Sequence, residues 1–168
     1  MSFVIFTDGC SNLPGALLKT LDIRTLPCTY TLDGMSQTYS GDIEHFDAKA
    51  YYDGLRAGKR VVTSLLNTQL FIDHFRPSLT DGEDVLYVGM SSGISGTYQA
   101  ACIAARELMD EFPERRVCTV DSMGAGLGTG LLTCRGAELR AQGLTVEETA
   151  ARLDDERMNL CEFFTVDS

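Results

Sequence analysis

Between Val85 and Ala101 the chain reads VLYVGMSSGISGTYQAA. An apolar run ends at Gly89, Ser91, Ser92 and Ser95 follow with Gly93 and Gly96, and an alanine-rich helical pattern begins at once. Serine hydroxyls and glycine-opened backbone N–H groups ahead of a helix are hydrogen-bond donors, and the positive end of the helix dipole reinforces them. Such a turn suits an anion, either phosphate or carboxylate. Similar groupings recur at Thr7-Asp8-Gly9-Cys10-Ser11, at Thr63-Ser64 ahead of Asn67, and at Asp121-Ser122-Met123-Gly124. Taken singly, each has an ordinary reading: Ser95 as a helix N-cap, Thr63 or Ser64 as a cap for the next helix, Asp8 and Asp121 as turn formers. Their grouping at several strand ends favours ligand binding, because parallel α/β sheets bind ligands outside the carboxyl ends of their strands.

Sharper catalytic motifs fit less well. Gly89-Met-Ser91-Ser-Gly93 matches the G-x-S-x-G nucleophile elbow and lies between a strand and a helix. That chemistry needs an acid and then a histidine later in the chain, and His45 and His74 both precede Ser91. A serine acyl hydrolase using Ser91 or Ser92 is therefore the alternative from the enzyme class, and a small phosphate-binding module at the Ser95 turn is a third reading. The cluster Gly124-Ala-Gly126-Leu-Gly128-Thr-Gly130 matches no dinucleotide fingerprint, and Gly58–Lys59 is followed by Arg60, which rules out a P-loop. The acids Asp42, Glu44, Asp47 and Asp154-Asp-Glu156 read as solvated faces, so neither a metal nor a cofactor is expected.

The elements that must position these groups follow from periodicity. Strands are predicted at Phe3–Phe6, Arg24–Tyr30, Val85–Val88, Val117–Val120 and Phe163–Val166, and Val61–Ser64 forms a further strand end. Helices are predicted at 14–21, at 46–55 before Gly58, after the N-cap Asn67, at 95–112, at 126–142, and from the capping box at Thr145 to about Leu160. Asp33–Gly34 between β-formers predicts a hairpin over 31–40. Alternating strands and helices imply an α/β fold with three layers, a mainly parallel sheet flanked by helices.

Composition sets the remaining bounds. The chain has 168 residues and a formal net charge of −10, with no basic run longer than a pair, which argues against a nucleic-acid or anionic-membrane surface. The six cysteines include no CxxC pair and read as free thiols of a reducing compartment. No stretch reaches transmembrane length, and the N-terminal MSFVIFTDG lacks a basic segment, so a soluble cytoplasmic protein without membrane insertion is expected.

The segments FTDGCSNLP (6–14), VTS (62–64), SSGISGTYQA (91–100) and TVDS (119–122) resemble the DegV family in order and spacing. The resemblance implies a bacterial cytoplasmic carrier and not an enzyme, with a long-chain fatty acid as ligand and a fatty-acid kinase subunit as partner. It further implies that Thr63 and Ser95 hydrogen-bond the acyl carboxylate, with Ser64 and Ser92 near them and Ser91, Asp8 and Ser122 completing the site. A carboxylate taken out of water needs several donors, which hydroxyls and a helix N-terminus supply without a second formal charge. Leu65, Leu66, Ile94 and Met123 flank the cluster and could begin an apolar tunnel.

The sequence departs from the family pattern at Gly9, where serine is usual, and after Thr63-Ser64, where TSQPS is usual. Family members also carry a second α/β domain. Residues 1–160 are accordingly read as a head-group-binding domain, and 161–168 as the start of a second domain or a closing strand.

Overall fold

The structure is a computed structural model that describes residues 3–163 and 165. Two apolar runs, FVIFTD and DVLYVG, become the central strands β1 (Phe3–Asp8) and β6 (Asp84–Gly89). Both are flanked by parallel neighbours, β2 (Ile23–Leu26) beside β1 and β7 (Val117–Asp121) beside β6, in the order β2-β1-β6-β7. Unbroken hydrophobicity is what a strand covered on both faces requires. Val4, Phe6, Val85 and Tyr87 point to one side, where α3 (Thr68–Thr80) and α4 (Thr97–Glu111) contribute Phe71, Phe75, Ala101, Ala104 and Leu108. Phe3, Ile5, Leu86 and Val88 point to the other, covered by Leu18 of α1 (Gly15–Thr20), Leu132 of α5 (Leu127–Ala141) and Leu153 of α6 (Val146–Glu156). The three-layer, mainly parallel arrangement expected from the sequence is therefore present.

A second sheet stands apart from the first. Strands β3 (Cys28–Leu32), β4 (Met35–Tyr39) and β5 (Val61–Thr63) pair antiparallel in the order β4-β3-β5, with α2 (Ala48–Arg56) between the last two in sequence. The expected hairpin is there: Leu32 pairs with Met35, and Asp33 and Gly34 turn between them with φ of 53° and 81°. Both values are positive, as a type I′ turn demands.

Several expectations need correction. The single strand predicted over 24–30 is two strands in different sheets, separated at Pro27, which has no N–H to continue a ladder. The helix predicted from Ser95 begins at Thr97 after Gly96, so Ser95 is not its N-cap. The helix predicted from Phe46 starts at Ala48, where the Asp47 carboxylate accepts the Ala50 N–H. Asn67 does cap α3, and the Thr145–Glu148 capping box does open α6. Of the predicted strand 163–166, Phe163 and Thr165 carry no strand pairing, while Phe164 and Val166 lie outside the described residues. Among the described residues no helix is long and apolar enough to cross a membrane.

Candidate functional site

At the carboxyl end of β1, the Asp8 carboxylate is buried and fully engaged. One oxygen accepts the Cys10 N–H at 2.9 Å; the other accepts the Tyr87 hydroxyl at 2.8 Å and the Met90 N–H at 3.0 Å. Three donors compensate a buried charge, and they fasten the ends of β1 and β6 to each other. Burial, followed by this carboxylate, pushes the Tyr87 phenol well above its usual range, so it stays a donor.

The serine-rich turn after β6 closes on itself. The Ser91 carbonyl accepts the N–H groups of Ile94 (3.0 Å) and Ser95 (3.1 Å), and the Ser91 Oγ accepts the Gly93 N–H at 3.2 Å. Ser95 Oγ accepts the Thr97 N–H at 3.2 Å and donates to Thr97 Oγ1 at 3.0 Å. Thr97 Oγ1, itself buried, also accepts the Leu66 N–H at 3.2 Å. One hydroxyl thus ties the loop after β5, which begins at Ser64, to the start of α4.

Between the second sheet and this edge of the first lies a cavity of about 750 Å³, within the range of about 300–1,000 Å³ usual for small-molecule sites. Its polar lining residues include Asp8, Thr63, Ser64, Ser95 and Thr97, with Cys10, Asn12 and Cys28. Tyr30, Tyr39, Phe46, Tyr51 and Tyr52 line it as well, with Leu65, Leu66 and Ile94, and Thr63 pairs with Tyr30 in the second sheet. The aromatic rings pack edge-on or tilted, Tyr30 against Tyr51 at 5.6 Å and Phe46 against Tyr51 at 5.2 Å, which makes a continuous aromatic surface. Among the described lining residues there is no lysine, arginine or histidine. The Tyr39 hydroxyl is buried without a hydrogen-bond partner, and desolvation, then Asp42, pushes it up to about 12.

The structure thus brings Asp8, Thr63, Ser64 and Ser95 to one cavity. Ser91, Ser92 and Ser122 stand outside its lining. Ser92 is exposed, with its N–H on the Asp121 carboxylate at 3.2 Å. Ser122 is buried in a separate network, 2.9 Å from Thr129 Oγ1 and accepting the Gly124 N–H at 3.2 Å. Met123, proposed for the tunnel wall, is exposed elsewhere. Neither histidine lines the cavity. Sequence reasoning missed Thr97, Tyr39 and the Cys10–Cys28 pair. Thr97 sits inside the serine-rich segment, so a hydroxyl count there could have found it; Tyr39 and Cys28 are joined by pairing in the second sheet, and Cys10 follows β1 of the first.

Comparison with known proteins agrees with this picture. The family model described as an uncharacterised protein family, DegV, matches residues 2–168. A DegV domain-containing protein of Clostridium perfringens is 36% identical over 166 residues, 99% of this chain and 57% of the relative. A fatty-acid-binding DegV family protein from Thermus thermophilus superposes with a TM-score of 0.81 at 30% identity, over 94% of this chain and 54% of that one. A Thermotoga maritima protein whose structure revealed a fatty-acid-binding function gives 0.80 at 26% identity, over 95% and 56%. The chain therefore spans little more than half the length of the relatives it matches. With nearly every residue matched by the family model and the same fold in solved members, the chain belongs to the DegV family.

Proposed function

We propose that this chain is the head-group-binding part of a fatty-acid carrier that presents the acyl carboxylate to a fatty-acid kinase subunit and does no catalysis of its own. The observation that carries this reading is the cavity lining, which combines the hydroxyls of Thr63, Ser64, Ser95 and Thr97 with a continuous aromatic surface. A long-chain acid has the same two kinds of surface. Neutral donors hold a carboxylate without a cation to tie up its charge, which leaves it nucleophilic toward phosphoryl transfer. Thr63 and Ser64 are exposed on the rim, where a second protein could reach the bound head group. The solved relatives described as fatty-acid binding support the ligand class. Residues 1–160 form the unit proposed to hold the head group.

Native mass spectrometry of the purified chain, followed by organic extraction, tests this directly. A fatty acid at one per chain, displaced by added oleate and reduced by Thr63→Val with Ser95→Ala, is the expected result. A chain that neither retains nor takes up any long-chain acid, from preparations with an intact fold, would overturn the assignment to this segment.

A further inference from the structure

Cys10 lies in the turn Gly9–Ser11 that follows β1, and Cys28 opens β3 just after Pro27. Both cysteines line the cavity. Gly9 makes the approach possible: a Cβ there would stand 3.0 Å from Cys28 Sγ. With no side chain in the way, the Cys28 sulfur lies beside Gly9, the residue before Cys10, and reaches the Leu26 carbonyl at 4.0 Å.

We infer that Cys10 and Cys28 form a dithiol oxidation site in the cavity wall, converted by hydroperoxides to an intramolecular disulfide. This goes beyond lipid carriage and does not depend on it. Cys28 is the attacking sulfur and Cys10 the resolving one. The Cys28 thiolate displaces the distal oxygen of the O–O bond, giving a sulfenic acid and, after proton uptake, an alcohol or water. The Cys10 sulfur then attacks the Cys28 sulfur, forming the S–S bond and expelling the hydroxyl as a second water. Two thiols are oxidised by two electrons and one peroxide is reduced.

The roles follow from the surroundings. The hydrogen bond from Cys10 lowers the Cys28 thiol, against opposing contributions from burial and Asp8, while the same contact and burial raise Cys10. Burial raises Cys118 to about 11 and also raises Cys134. A lowered thiol in a solvent-reached cavity is the reactive kind, and the raised, apolar ones are inert.

The test is peptide mapping of the whole chain after titration with hydrogen peroxide and, in a parallel arm, with an acyl hydroperoxide. The expected first product is a Cys10–Cys28 disulfide, reversed by dithiothreitol, with dimedone trapping Cys28 in Cys10→Ser. Faster reaction in the acyl arm would assign the peroxide source to lipid; equal rates would assign it to small peroxides. Because either cysteine variant could fail to fold, maleimide labelling of the unmodified chain provides an independent reading, with Cys28 labelled about ten-fold faster than Cys118 at neutral pH. Oxidation that leaves Cys10 and Cys28 unlinked, or Cys28 labelling no faster than Cys118, would overturn the proposal.

Discussion

Thr97 holds two loops with one hydroxyl, and its removal should be felt in both. Thr97→Val keeps the shape but orphans the buried Leu66 N–H and the Ser95 hydroxyl, a loss of about 1–3 kcal/mol in urea unfolding. Thr97→Ser should restore most of it. Ser95→Ala is a different experiment, since Ser95 is half-exposed on the cavity and its hydroxyl bonds only Thr97, at the N–H and at Oγ1. Stability should fall little, while fatty-acid affinity falls by about 1–3 kcal/mol, measured by titration calorimetry; unchanged affinity would leave Ser95 as a turn residue. At this scale the sequence was only partly legible. Hydroxyls at Thr63, Ser64 and Ser95 are visible as a pattern, but whether a hydroxyl faces a ligand or the backbone depends on partners far away in the chain, as Thr97 and Leu66 show.

Elements were more readable, for a physical reason. Strands buried on both faces must be apolar throughout, so β1 and β6 could be read directly. Capping boxes and Asx caps act within four residues, so the starts of α3 and α6 were equally plain. The second sheet was not, because Pro27 hides a change of sheet inside one β-rich run and β5 is only three residues long. The aromatic wall comes from positions that share no period. Between helices, Arg135 of α5 grips Glu156 of α6 through two hydrogen bonds, at 2.8 Å and 3.2 Å, and Arg152 adds a third. These contacts, Arg135 first, hold the Glu156 carboxyl below its usual range. A lowered acid stabilises the fold above its ordinary titration range and loses that contribution as pH falls through the lowered value. Glu156→Gln should therefore cost about 1 kcal/mol at neutral pH, allowing for solvent screening, and thermal melts of the two proteins should converge in strong acid.

For the molecule as a whole, a ligand bound only by the folded state must raise its melting temperature. With free oleate at about 100 times its dissociation constant the gain is about 2.7 kcal/mol, and a melting point independent of oleate would contradict carriage. Leu127 and Leu131, one turn apart on α5, are 62% and 61% exposed. Replacing both with Glu should leave stability within about 0.5 kcal/mol and reduce binding of an apolar dye, read by fluorescence. The second sheet has a broader implication. Its whole unit, Cys28 to Thr63, leaves the parallel core at Pro27 and rejoins it ahead of Asn67 as one unbroken excursion. The central sheet buries its own two faces without that excursion. Length changes and substitutions in 28–63 can therefore reshape one wall of the cavity while the folding core stays as it is. Ligand preference can drift in evolution, or be redesigned, by exchanging a single contiguous cassette.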